Sequence, residues 1–450
     1  NITMQKPSPS HRLLTLAALL AALPAAAAPN NITDLGTLKN DNSGSSIASA
    51  ISGDGSVVVG SSLIIPDSFG FTEPRATIWS GSGWANKTDL GTLKADNSGR
   101  SAATAVSGDG LVVGGSARND NGEERGIIWS GSNWTTKTDL GTLMPDNSGW
   151  SSVQALSRDG SVAVGDASND RSYLQRPIVW SGSNWATKTQ LGVLDDSYSH
   201  GGIASAVSDD GSIVVGSVSV DSSNLLRAIV WSGRNWADKK DLGTLRTDNT
   251  GNSGANATSG DGSLVFGEAE NDNGETHATV WSGSGWATKT DLGTLKSDNS
   301  GSSSANAANS DGSVVGGKAV NDNGDQHATV WSGSGWTTKT DLGTLKTDNS
   351  GSSSVYGISA DGNFAVGEAQ NDNGDNRAAV WNLRNLNNAR PTDTASTRAS
   401  LSLLSADTAA MLAQRARAAE NLLGGCRADG GKFCYSAGYR RDIGHGASSR

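Results

Sequence analysis

Cysteine is nearly absent from this chain: 450 residues hold two, Cys426 and Cys434, both close to the C-terminus. Nothing upstream of them can be stapled by disulfides, so the bulk of the chain has to be held by packing and hydrogen bonds. Histidine is scarce too. The five residues, His11, His200, His277, His327 and His445, do not cluster, which leaves no sequence-visible metal site or His-centred triad. Cations are outnumbered, 35 Lys and Arg against 45 Asp and Glu. Between the basic leader-like start and the basic tail the excess reaches about −15, which argues against a nucleic-acid groove, because phosphate contacts need clustered Lys and Arg. The longest apolar run, Leu13 to Leu23, is too short for a membrane-spanning helix. Aromatic residues amount to only 5 %, yet tryptophan alone contributes 14, and its placement is regular.

What the chain has in abundance is repetition. Asp-Leu-Gly-Thr-Leu begins at Asp34, Asp89, Asp139, Asp241, Asp291 and Asp341, with a diverged Gln-Leu-Gly-Val-Leu at Gln190. An Asp-Gly pair returns at Asp54, Asp109, Asp159, Asp210, Asp261, Asp311 and Asp361, and a tryptophan at Trp79, Trp129, Trp180, Trp231, Trp281, Trp331 and Trp381. Three markers in fixed phase, about fifty residues apart, define seven copies of one unit and tie residues 30–390 into one body.

Each unit reads as four strands. A small-residue segment such as Val153 and Ala155 leads into the Asp-Gly turn, and short β-branched runs follow it, as in Val57-Val58-Val59 and Ile213-Val214-Val215. Asn-Asp-Asn-Gly, at 119–122, 271–274, 321–324 and 371–374, is a hairpin turn because Asn and Gly tolerate positive φ. A third strand ends in the marker tryptophan, as in His277-Ala278-Thr279-Val280-Trp281. A fourth is expected to run from Trp286 into the next Asp-Leu-Gly-Thr-Leu, with Trp281 and Trp286 facing each other across the hairpin. Four antiparallel strands per unit make a propeller blade, and seven blades fall within the usual range. The predicted fold is therefore an all-β, seven-bladed β-propeller, with a β-solenoid as the alternative. The two ends favour the propeller. The chain enters on a lone fourth strand at Asp34-Leu35 and leaves after a third strand at Val380-Trp381, so the N-terminal strand is expected to close the ring, with Leu35 beside Val380.

Outside the repeats, residues 1–27 read as a secretory signal: Lys6 and Arg12, then Leu13 to Leu23, then small residues up to the cut. Residues 391–450 read as a linker helix, with Leu401, Leu404, Met411, Leu412 and Leu422 near helical spacing, followed by an alternating, barrel-like start. An exported chain meets an oxidising compartment, so Cys426 and Cys434 are a candidate disulfide.

Asp-Leu-Gly-Thr-Leu, then Ser-x-Asp-Gly-Ser-x-Val-x-Gly, then His-Ala-x-x-Trp resemble the bacterial extracellular repeats known as the HAF family, over about residues 31–386. The resemblance implies an exported, surface-associated protein without assigned catalysis. The helix and alternating stretch after the repeats look like the junction into an autotransporter barrel. A barrel needs at least eight strands, and roughly 25 residues follow Leu423. The expected address is thus the cell surface or the extracellular space, or the periplasm where no barrel is present.

The candidate chemistry is modest. Arg75, Arg125, Arg176, Arg227, His277, His327 and Arg377 stand at one repeat position. They would line a ligand site if the third strand lay near the axis, and would pair with carboxylates of their own blades, such as Glu268 or Asp325, if it did not. The Asn-Asp-Asn-Gly loops resemble fragments of calcium loops but lack the full oxygen ladder, so no cofactor is assigned. Near-identical units suit multivalent binding better than catalysis. The expectation is a non-enzymatic interaction module, an adhesin or self-associating passenger that meets a host or neighbouring-cell ligand, with a carbohydrate-binding or hydrolytic propeller as the alternative. A unique site would be built where the repeat breaks, at Leu63 to Glu73, Arg171 to Arg176 and Tyr198 to His200.

Overall fold

The computed structural model describes residues 31–64, 73–169, 175–194, 201–220 and 225–384. The fifth unit shows how the repeat folds. Its inner strand Ser253–Thr258, second strand Val265–Glu270, third strand Thr276–Ser282 and outer strand Thr288–Asp291 pair antiparallel in that order. The first turn is held by Asp261, whose Oδ1 accepts from Ser259 Oγ at 2.7 Å and from the Ser263 amide at 3.0 Å. In the second turn Asn271 Oδ1 accepts the amides of Asn273 and Glu275, at 2.9 and 3.1 Å. Both are side-chain-nucleated turns, which is why Asp and Asn recur at these points. The glycine of the Val-x-Gly run has a different cause: a Cβ on Gly267 would sit 1.9 Å from the Gly254 carbonyl oxygen, so the second strand can approach the inner one only without a side chain there. Opposite it, the inner strand carries a bulge between Ala255 and Ala257, and the same irregularity recurs in the other six blades.

Seven such sheets follow one another, and the inner strands of successive blades touch all the way round. At one end of the axis the residue between Ser or Asn and Asp in each first turn joins a closed ring of backbone hydrogen bonds. Gly53 donates to Gly108, Gly108 to Arg158, Arg158 to Asp209, Asp209 to Gly260, Gly260 to Ser310, Ser310 to Ala360, and Ala360 back to Gly53. Closure at the rim is equally explicit. Ile32–Asp34 pairs with Asn376–Asn382 as Ile32↔Trp381, Thr33↔Val380 and Asp34↔Ala379. The Leu35 amide then donates to the Ala378 carbonyl at 2.8 Å, and Leu35 and Val380 share one buried cluster. The N-terminal strand is the outer strand of the seventh blade, and the solenoid is excluded.

Between blades, each third-strand tryptophan is buried in a cluster formed with the preceding blade. Trp281 packs with Val215, Ala228, Val230 and Leu242 as well as its own blade's Ala255, Val265 and Ala269. Here one expectation is corrected. Trp281 and Trp286 do not face each other: Trp286 has a φ of 54° in a short 3-10 turn, the outer strand starts only at Thr288, and Trp281 pairs with Lys289. Trp286 instead turns its Nε1 to the Gly262 carbonyl of its own blade's first turn, at 3.0 Å. The signal segment 1–27, the segment 391–450 with its expected helix, and Cys426 and Cys434 all lie outside the described residues. Among the described residues no helix is long and apolar enough to cross a membrane.

Candidate binding cleft

The polar residues that make the repeat recognisable are used within the scaffold. The third strand stands two strands out from the axis, and its cation is buried in six blades and half-buried, as Arg176, in the third. Arg75 meets Asp89 at 3.2 Å, Arg125 meets Asp139 at 3.5 Å, and Arg227 meets Asp241 at 3.0 Å. His277 and His327 turn Nδ1 to Asp291 and Asp341 at 2.9 and 2.8 Å, and Arg377 reaches Asp34 at 3.2 Å. The common partner is thus the aspartate that opens Asp-Leu-Gly-Thr-Leu, on the cation's own blade as expected, and Arg125 and His277 also meet Glu123 and Glu275, the counterparts of Asp325, at 3.2 and 3.7 Å. Arg176 occupies the same position in the third blade, whose outer strand ends in Gln190 instead of Asp. Hydrogen bonding to Asp291 raises the His277 pKa against the opposing effect of its burial.

A second set of polar residues stitches neighbouring blades. Lys87, Lys137, Lys188, Lys289 and Lys339 donate Nζ to a threonine carbonyl of the preceding blade's connection, at 2.6 to 2.8 Å, and Lys239 does so to Val193. Partial burial holds the pKa of the first five below the usual lysine range. The Asn-Asp-Asn-Gly loops act as turns, and among the described residues no group of His, Cys, Asp and Glu is arranged to hold a metal ion.

Against this background one place stands out. Between the second and third blades, on the face that carries the Asn-Asp-Asn-Gly loops and the blade-to-blade connections, lies an open cleft of ≈ 670 Å³. Its third-blade side is built from Ser152 and Gln154 on the inner strand Ser151–Leu156, Asp166 on the second strand Ala163–Ser168, and Gln175 at the head of the third strand Gln175–Ser181. Trp150 precedes the inner strand. The second blade supplies Arg100, Glu123 and Glu124.

Several of these residues depart from the repeat. At the bulged inner-strand position, Thr104, Asn256 and Asn306 donate to the next blade's inner strand, at Val153, Ala305 and Val355. Gln154 occupies that position in the third blade and donates instead to Asp166 Oδ1 at 3.3 Å and Ser152 Oγ at 3.2 Å. The bulge is common to all seven blades, so the redirection lies in the side chain: glutamine is one methylene longer than asparagine, and its amide meets Asp166 in its own blade. Gln175 donates to the other carboxylate oxygen, also at 3.3 Å. Asp166 is 1 % exposed; the same repeat position holds Ser61, Ser116 and Ser217 in the first, second and fourth blades, half-buried Glu268 and Glu368 in the fifth and seventh, and Lys318 in the sixth. Burial pushes its carboxyl pKa up to about 6, with nearby Glu124 adding to the rise and the two amides opposing it. Glu124 itself accepts from Arg100 and from Ser116 Oγ.

The sequence places unique sites at Arg171 to Arg176, and Gln175 from that stretch does line the cleft. Most of the three irregular segments lies outside the described residues. Trp150, Gln154, Asp166, Arg100 and Glu124 were not singled out. A signal existed: Trp150 is the one tryptophan out of phase with both tryptophan positions of the repeat. A second symmetry break lies at the axis, where Arg158 Nη1 meets Asp209 Oδ2 at 3.1 Å and Ser310 Oγ at 2.9 Å. The axial space here is ≈ 140 Å³, and the Arg158 and Asp209 side chains are half exposed, so this cluster caps the channel rather than framing a cavity.

No protein-family model matches the chain, and no curated protein matches it either. Solved structures do resemble it. The chain is 12 % identical to one of two prolyl endopeptidases studied for the role of inter-domain dynamics in catalysis and specificity, with a TM-score of 0.51 over 76 % of this chain and 47 % of that one. Prolyl oligopeptidase B from Galerina marginata gives 0.48 at 11 % identity, over 77 % of this chain and 50 % of that one. TolB from Acinetobacter baumannii gives 0.39 at 11 % identity, over 63 % of this chain and 62 % of that one. The chain therefore spans less than two thirds of the length of these structures, and what it shares with them is the β-propeller fold.

Proposed function

We propose that the chain is an exported, non-catalytic interaction module that binds a ligand on a host or neighbouring-cell surface in the cleft between its second and third blades. The observation that carries this reading is a division of labour among polar side chains. The repeated cations, aspartates and lysines are committed to ion pairs and stitches inside the scaffold, whereas the cleft gathers residues that break the repeat around a half-buried tryptophan. Concave sites with an aromatic wall and a few convergent polar groups are the usual form of a ligand pocket. The leader-like residues 1–27 and the HAF-type signature support export, and the resemblance to an autotransporter passenger supports display at the cell surface.

The test is retention of fluorescently labelled protein on intact bacterial and mammalian cells. A Trp150→Ala/Gln154→Ala double variant is expected to lose retention, and Asn273→Ala, on an exposed repeat loop, to keep it. Retention unchanged in the double variant would sink the cleft. Concentration-dependent self-association in sedimentation, abolished by loop substitutions and untouched by cleft ones, would favour the repeated loops instead.

A further inference from the structure

We infer that the cleft takes a neutral carbohydrate, with a pyranose ring laid against Trp150 and its hydroxyls bonded by Gln154 and Gln175, whose amides Asp166 orients from behind. This rests on the cleft being the binding site and names what it binds. Trp150 is held on a rigid segment: its amide donates to Ser168 Oγ at 3.2 Å, and its carbonyl accepts from the Ser168 amide at 2.9 Å. A partly exposed indole on a backbone anchored in this way offers an electron-rich face to the weakly positive C–H groups of a sugar ring. Behind it stands a row of planar polar groups, one carboxylate between two primary amides. Carboxylates accept and amides both donate and accept, so the row can satisfy neighbouring hydroxyls that each do both.

Electrostatics narrows the class. Arg100 is paired with Glu124, and Glu123 bonds Arg125, the Asn119 amide group and the Gly149 backbone. That leaves the Asp166 carboxylate as the charge facing the cleft without a cationic partner. An anionic ligand would meet it head-on, whereas a neutral polyol would not.

The experiment is saturation-transfer difference NMR on the full chain with neutral trisaccharides (cellotriose, maltotriose, xylotriose and triacetylchitotriose), with choline and trigalacturonate as charged probes. At least one neutral trisaccharide is expected to receive saturation at its ring C–H protons. Trp150→Ala should weaken that binding about tenfold or more, and Gln154→Ala about threefold. Trp150→Phe should retain part of it, which keeps the test sound if the alanine variant folds poorly. Absence of transfer to every neutral sugar, or transfer indifferent to Trp150→Ala, overturns the inference. Trp150-dependent binding of choline or trigalacturonate alone would overturn the ligand class while leaving the cleft as the site. Failure of the cleft itself would show in unchanged cell retention.

Discussion

At the scale of single residues the most informative group is Asp166. Its folded-state pKa is raised from 3.8 to about 6 by burial, so the folded protein prefers it protonated. The destabilisation is absent below the unfolded value, near pH 4, and complete above pH 6, where a shift of this size corresponds to about 3 kcal/mol. Asp166→Asn should therefore stabilise the protein by about 2–3 kcal/mol at pH 8 and by almost nothing at pH 4. Urea unfolding at the two pH values checks this, and an equal gain at both would show that desolvation is not the cause. His277 acts with the same sign. Its pKa is raised by Asp291, so its contribution is full below about pH 6.5 and fades as pH rises through the folded value. Both groups predict a higher Tm near pH 5.5 than near pH 8. Replacing both His277 and Asp166 with neutral residues should flatten the difference.

At the scale of elements, the two repeated tryptophans of the first six units have separate jobs. Trp231 is wholly buried between blades, with Nε1 donating to the Gly192 carbonyl at 2.7 Å; Trp236 is partly exposed and braces the first turn through Gly211 at 2.9 Å. Trp231→Ala should cost about 3–5 kcal/mol and Trp236→Ala about 1–2. Comparable losses in thermal or urea unfolding would contradict the assignment. The four-strand blade, its turns and the Asp-Gly and Asn-Gly positions were legible in the sequence, because they follow from local backbone preferences. The role of Trp286 was not. Its positive φ bends the chain before the outer strand begins, and a run of alternating residues does not announce that bend. The redirection of Gln154 was equally hidden, since Thr104, Gln154 and Asn256 are all polar residues at one bulged position and only their partners tell them apart.

At the scale of the whole molecule, the ring is closed twice, by the axial circle of backbone hydrogen bonds and by the N-terminal strand on the seventh blade. Leu35 is 4 % exposed and Leu292, its counterpart at the fifth blade, 3 %. If the clasp is equivalent to the other six outer strands, Leu35→Asp and Leu292→Asp should destabilise alike, each by roughly 3 kcal/mol or more. A mild effect at Leu35 alone would mean that the ring opens at the clasp. The axial Arg158 and Asp209 pair should matter far less. With side chains 50 % and 41 % exposed, the pair is screened by water, and Arg158→Ala is expected to cost under about 1 kcal/mol.

The number of blades, the order of strands within each and the completion of the last blade by the first strand were determined by the sequence alone. Periodicity records local structure, and phase at the two ends records closure. Only the tertiary structure decided where the polar side chains go. Arg75 finds Asp89 within its own blade, Lys137 reaches back to Thr92 in the connection before it, and Gln154 turns from the next blade toward Asp166. Such partners are set by how blades are seated against one another, and a repeated motif reads the same whether its charges face solvent or a neighbour. The cleft became visible once the residues consumed by that seating were known, and what remained was Trp150 and the groups around it.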